Sequence, residues 1–214
     1  MREIWFAVLI GLTLAGAVPA IAAPPPPAGK ASAAGALAVS PSDRILGNPN
    51  APITIVEYAS LSCPHCAHFE GTVLPTLQKQ WIDTGKAKLV MRDFPLDRAA
   101  LRAEMLARCV PPQRYYPLVK TLFATQDEWV LAKDQKAALE RIARLAGIGR
   151  KQVDACLADK KLENEIVQSR LTASNQLGVD ATPTFFINGK KFEGEPTVAA
   201  FDKLLSGLAA KEKS

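Results

Sequence analysis

Seven residues do most to limit how this chain can fold. Ile53-Thr54-Ile55-Val56-Glu57-Tyr58-Ala59 is β-branched and apolar on both alternating faces, so the strand it predicts needs cover on both sides and belongs at the centre of a sheet. A helix is expected directly after it, starting at Cys63 or Pro64. Ser60 and Ser62 are candidate caps, and proline is tolerated in a first turn, where its missing N–H is not needed. Phe69, Val73, Leu74, Leu77 and Trp81 give that helix an apolar stripe, with Pro75 expected to bend it. Lys88 to Phe94 reads as a second strand. Strand, helix and strand in that order open an α/β layered domain.

From Arg98 to about Leu177 the apolar spacing is helical throughout, through Leu101, Met105 and Leu106, then Leu118, Leu122 and Phe123, then Leu139, Ile142, Ala143 and Leu145, then Leu162, Ile166 and Leu171. After Gly178, the run Thr184-Phe185-Phe186-Ile187, the turn pair Asn188-Gly189 and Lys190-Lys191-Phe192 predict a hairpin, and a closing helix is expected over Val198 to Ala209. The expected fold class is therefore α/β, a small mixed sheet built from 42–97 and 178–214 and interrupted by an all-helical insertion over 98–177.

Residues 1–22 read as an export signal. Ile4 to Ala23 carries no charge, and Ala20-Ile21-Ala22 fits the small-x-small rule for cleavage after Ala22, with an uncleaved membrane anchor as the alternative. Either way the bulk of the chain is expected outside the cytosol, where disulfides persist. Residues 23–41, with Pro24 to Pro27 followed by Ala, Gly and Ser, lack bulky apolar side chains and read as a semi-extended linker, so the folded part is expected from Ser42. The net charge of +5 comes without a long basic run, which argues against nucleic acid as a partner.

The chemistry concentrates in Cys63-Pro64-His65-Cys66. A cysteine where a strand feeds a helix meets unpaired backbone N–H groups and the positive end of the helix dipole, and both stabilise a thiolate on Cys63. His65 offers a further imidazolium or hydrogen-bond donor in the same turn. A sulfur of low pKa is a good leaving group, and a stabilised reduced form makes the oxidised form a strong oxidant. Cys66, one turn inside the helix, is expected to be less exposed and to close the internal disulfide. Zinc is the competing chemistry for Cys63, His65, Cys66 and His68, but four ligands crowded into one helical stretch cannot surround a metal tetrahedrally, so no metal site is expected. Glu57 alternates with Ile53 and Ile55 on a strand that reads as buried; its carboxyl is expected to hold its proton tightly and to exchange it with Cys66 as the disulfide opens, the alternative being a surface acid at the strand end. Cys109 and Cys156, each ending a helical stretch, are expected to pair, against the alternative of two buried free thiols. Tyr115, Tyr116, Phe123 and Trp129 are either a peptide-binding surface or core.

The segment Glu57-Tyr58-Ala59-Ser60-Leu61-Ser62-Cys63-Pro64-His65-Cys66-Ala67-His68-Phe69-Glu70, the later Ala181-Thr182-Pro183-Thr184 and the helical stretch between them closely resemble the DsbA-type periplasmic thiol–disulfide oxidoreductases, from about Ser42 to Ala209. The resemblance implies a thioredoxin-like fold with an inserted all-helical domain. It implies a periplasmic enzyme that introduces disulfides into reduced, unfolded exported proteins and is reoxidised by a DsbB-like, quinone-coupled membrane oxidase, with no cofactor of its own. It also implies a cis peptide at Thr182-Pro183 beside the cysteines, leaving backbone groups free to pair with an extended substrate, and it matches Glu57 to the family's buried acid. Isomerases of the related DsbC kind carry a dimerisation domain ahead of the thioredoxin fold, whereas only the signal and linker precede Ser42 here, so a monomeric oxidase is expected. A reductase or isomerase of the same superfamily, or a binding module without turnover, are the alternatives.

Overall fold

The structure, a computed structural model, describes residues 33–211. The export signal and the first part of the linker fall outside the described residues. Five strands make one mixed sheet: β1 (Arg44–Leu46), β2 (Ile53–Ala59), β3 (Ala87–Asp93), β4 (Thr184–Ile187) and β5 (Lys190–Lys191), in the order β1-β3-β2-β4-β5. The doubly apolar β2 lies at the centre, parallel to β3 and antiparallel to β4, as its pattern requires. Its two faces build two different cores. Ile53 and Ile55 pack with Phe69, Leu77, Trp81, Phe185 and Phe201, while Val56 and Tyr58 pack on the opposite side with Val90, Phe94, Phe186 and Leu37.

Two segments depart from expectation. The linker read over 23–41 is too long, because α1 (Ala33–Leu37) already forms within it and Leu37 is buried. The Arg92 guanidinium holds this stretch, donating to the carbonyls of Ala36 and Ala38 as well as to the Asp43 carboxylate. One leucine and carbonyls that any sequence carries leave no periodic signal. The same brevity hid β1, three residues that pair antiparallel with Leu89 to Met91.

The helix after β2 begins as α2 (Pro64–His68), passes through a wide π-type turn at Phe69–Val73, continues as α3 (Leu74–Leu77) and ends in a second such turn at Gln78–Ile82. Pro75 explains the first: it has no N–H to give and its ring crowds the preceding turn, so the hydrogen-bond pattern widens just before it. Neither serine caps α2. Cys63 is the N-cap, without a side-chain hydrogen bond to the amides of the first turn, while the hydroxyl of Ser60 accepts from the Leu96 N–H and that of Ser62 donates to Asp97.

Six helices link β3 to β4: α4 (Arg98–Arg108), α5 (Pro112–Ala124), α6 (Gln126–Val130), α7 (Gln135–Leu145), α8 (Arg150–Ala158) and α9 (Lys160–Leu177). Asp97, Asp134 and Asp159 cap three of them with side-chain carboxylates, and Gly178 ends α9 in the left-handed region at φ 64°. Most of the expected apolar stripes are buried; Leu145 and Leu171 are exposed. The core of these helices, including Leu106, Leu118, Leu122 and Trp129, also contains Ala59, Leu61, Cys63 and Cys66. The cysteine pair thus sits at the seam between sheet and helices. The closing helix α10 (Val198–Lys211) covers the face of β2 that carries Ile53 and Ile55.

Candidate active site

Beyond β2 the chain turns at Ser60, with the Cys63 N–H donating to the Ser60 carbonyl at 3.0 Å, and enters α2. Cys63, with extended backbone angles at the N-cap, stands over the open amides of the first turn. Both Cys63 and Cys66 are unpaired thiols here. Cys63 is the more open of the two, but only 4% of it is exposed against 0% of Cys66. The order is the expected one, but Cys63 too is covered: the Thr182–Pro183 segment, in the cis conformation, lies against the sulfur, and Cys63 Sγ donates to the Thr182 carbonyl at 3.3 Å.

The two thiols are driven apart in acidity. Hydrogen bonding to the Cys66 thiol is the main force that lowers Cys63 to about 5, aided by Thr182 and by the backbone N–H groups of Cys66 and His65, against an opposing cost of burial. Burial pushes Cys66 far above the ordinary thiol range, and its hydrogen bond to Cys63 and the charges of Glu57 and Cys63 push the same way. A shared proton therefore rests on Cys66. His65 works differently from its expected role, contributing through its backbone amide while the residue itself is exposed. The Thr182 hydroxyl is buried with its oxygen unpartnered; once Cys63 ionises, its sulfur becomes an acceptor for such a donor.

Glu57 lies opposite Phe185 on β4 and Met91 on β3, with 3% of it exposed. Burial holds its carboxyl well above the usual range, and the charges of Glu70 and Cys63 add to this. Glu70, which the sequence reading did not single out, is raised to about 7 by burial, with Lys120 opposing. It stands seven residues beyond Cys63, two helical turns along the same face.

Three further side chains grip the loop before Cys63, all from the helical insertion or its first cap. Ser62 donates to the Asp97 carboxylate at 2.6 Å, the Leu61 N–H donates to Glu104 at 3.4 Å, and the Gln126 side-chain amide donates to the carbonyls of Leu61 at 2.7 Å and Cys63 at 3.1 Å. Asp97 was findable as a helix cap and Glu104 as an acid on an apolar stripe. Gln126 carries no pattern signal at all.

Within the helices, Cys109 and Cys156 are joined by a disulfide, Cα to Cα 6.0 Å across a separation of 47 residues. Tyr115, Phe123 and Trp129 are core rather than surface, and the Tyr116 hydroxyl accepts from the Met91 N–H while facing the Arg44 and Leu89 carbonyls. His68 lies on the exposed helix face beside the Thr72 hydroxyl, 3.2 Å away. Among the described residues there is no group of three or more His, Cys, Asp or Glu arranged to hold a metal, and no helix long and apolar enough to cross a membrane.

The family model described as Thioredoxin matches residues 39–206. A protein of Rickettsia bellii, provisionally named a protein-disulfide oxidoreductase, is 31% identical over 78% of this chain, and one of Rickettsia typhi with a similar name is 35% identical over 71%. This chain spans only 66% and 56% of the lengths of those two relatives. Among solved structures, Wolbachia pipientis alpha-DsbA1 superposes with a TM-score of 0.79 at 35% identity, covering 84% of this chain and 97% of that one. A protein-disulfide isomerase of Novosphingobium aromaticivorans superposes with a TM-score of 0.69 at 26% identity, covering 79% and 98%.

Proposed function

The chain belongs to the thioredoxin family, among proteins of the DsbA type, and from that premise we propose that it is a periplasmic thiol–disulfide oxidoreductase that works as a dithiol oxidase on exported proteins. The observation that carries this reading is the separation of the two thiols, Cys63 lowered to about 5 and Cys66 raised far above its ordinary range. A protein whose reduced state carries a stabilised thiolate on the outer sulfur gives up its disulfide readily when oxidised.

The reaction begins at the outer sulfur. A client thiolate attacks Sγ of Cys63 in the Cys63–Cys66 disulfide, forming a mixed disulfide and expelling Cys66 as a thiolate. Because Cys66 is a strong base in its buried setting, it takes up a proton, and Glu57, buried and within electrostatic reach, is the group that supplies it. A second client thiolate then attacks the client sulfur of the mixed disulfide. The client leaves with its new disulfide, Cys63 leaves as the stabilised thiolate, and two electrons remain on the pair. Reoxidation needs an acceptor for those electrons, and a quinone-coupled membrane oxidase of the DsbB kind supplies it. The Thr182–Pro183 backbone lies where an extended client strand reaches Cys63.

The pair equilibrated with glutathione tests the reading. An oxidase shows a potential well above that of thioredoxin, about −270 mV, oxidises reduced unfolded clients in stoichiometric amounts, rescues scrambled ribonuclease poorly and runs as a monomer in light scattering. A thioredoxin-like potential turns the reading to a reductase. Efficient unscrambling by a stable dimer turns it to an isomerase.

A further inference from the structure

We infer that Gln126, in the helical insertion, is a positioning residue for the Cys63 sulfur, holding the redox loop by a two-pronged hydrogen bond from its side-chain amide to the carbonyls of Leu61 and Cys63. The inference rests on the thiol–disulfide reading above.

The two bonds are 2.7 and 3.1 Å long. Both partners are carbonyl oxygens, which only accept, so the amide nitrogen must face the loop and both of its hydrogens are used there. Leu61 is fully buried, and its carbonyl lies in a turn ahead of the helix, where water cannot replace a lost partner. The Cys63 carbonyl also accepts the first bond of the following helix, from the Ala67 N–H at 3.1 Å. Gln126 therefore fixes the Leu61–Ser62 and Cys63–Pro64 peptide planes, at the two ends of the Ser62-Cys63 dipeptide, and holds Cys63 in its extended N-cap conformation, φ −81° and ψ 120°. In that conformation the amides of His65 and Cys66 converge on Sγ. If the Cys63 peptide turns, the sulfur swings off the end of the helix.

The support behind Gln126 is rigid. It opens α6, whose Trp129 is fully buried and donates from its indole N–H to the Leu122 carbonyl at 2.8 Å. Asp97 and Glu104 grip the same loop at Ser62 and Leu61, so the insertion meets it at three points, but only Gln126 reaches the backbone of the reactive cysteine itself.

The experiment uses the full reduced chain. Gln126→Met keeps the reach of the side chain and removes both donors; Gln126→Glu keeps the shape and sets a carboxylate against two carbonyls. The rate of Cys63 alkylation is followed from pH 4 to 9 by mass spectrometry, with redox equilibrium against glutathione and thermal melting alongside. Gln126→Met is expected to alkylate about fivefold more slowly at pH 5, one net hydrogen bond in rate, and to shift the glutathione equilibrium by a similar factor toward the oxidised protein. Gln126→Glu is expected to shift both further. Asp134→Ala removes the cap of α7 and loosens the insertion without touching the loop, and its profile is expected to match wild type. Wild-type profiles in both Gln126 variants would overturn the inference, and so would an equal shift in Asp134→Ala, which would mean that any loosening of the insertion has this effect. Alkylation needs no client, so a wild-type protein that fails to oxidise clients would sink the proposed function and leave the Gln126 test intact.

Discussion

The molecule carries two cysteine pairs, placed at opposite ends of helices. Cys63 caps the N-terminus of α2, under amides and the positive end of the helix dipole. Cys109 is the C-cap of α4, and Cys156 lies in the last turn of α8. At a C-terminus the dipole and the free carbonyls oppose a negative sulfur, which makes a thiolate there a poor leaving group and its disulfide slow to exchange. The first pair spans one turn at the seam of sheet and insertion; the second closes a separation of 47 residues within the helices. One chain thus holds two pairs in opposite settings: the helix end favours a thiolate at Cys63, alongside the larger effect of its hydrogen bond to Cys66, and disfavours one at Cys109 and Cys156.

The sharpest way to break this contrast is to exchange sulfur for oxygen in the reactive pair. Cys63→Ser is expected to abolish oxidation of a dithiol peptide, whereas Cys66→Ser, given a single-cysteine peptide as its mixed disulfide with glutathione, should expel glutathione as the thiol and hold the peptide on Cys63 as a mixed disulfide visible by mass. A client held on Cys66 by the Cys63→Ser variant, with none on Cys63 in Cys66→Ser, would reverse the assignment. Next in size, Cys109→Ala with Cys156→Ala should cost about 4 kcal/mol of stability on the chain-entropy account of a loop this long, read by urea unfolding, while the alkylation profile of Cys63 stays within twofold of wild type. A profile that moves would mean the pairs are coupled.

Glu57→Gln should slow release of Cys66 by about 100-fold, at the low end of what general acid–base catalysis contributes, measured as the rate at which a single-cysteine client opens the Cys63–Cys66 disulfide to form the mixed disulfide. Its effect on stability has the opposite sign. The folded Glu57 holds its proton well above the pH at which an unfolded glutamate loses it, so stability falls as pH rises from about 4.5 toward the folded value. Glu57→Gln removes that penalty and should raise the melting temperature at pH 8 but not at pH 4. The most gradual effect belongs to Cys63. Its folded thiol is lowered to about 5 from an ordinary 9.0, so the stability it lends the reduced protein is complete above pH 9 and lost as pH falls through 5. The melting temperature of reduced relative to oxidised protein should therefore climb across that window, and a flat difference would mean that the thiol is not acidic.

The amino-acid sequence by itself determined the elements whose signals repeat or whose chemistry is local. β2 emerged over Ile53–Ala59 because both its faces must be covered, the hairpin at Asn188-Gly189 because that pair accepts a tight turn, and the redox motif because its residues are neighbours in the chain. Glu57 showed as a buried acid because strand alternation set it beside Ile53 and Ile55. Tertiary structure decided the hydrogen bonds between residues distant in sequence. Arg92 drew Ala36 and Ala38 into the fold, Thr182 closed over a sulfur 119 positions away, and Gln126 reached the loop from 63 positions beyond Cys63. The physical reason is that a hydrogen bond to a backbone carbonyl needs only one donor at the right place. Any residue offers the carbonyl, and the place is set by packing of helices whose own pattern records burial and not what their polar ends will touch.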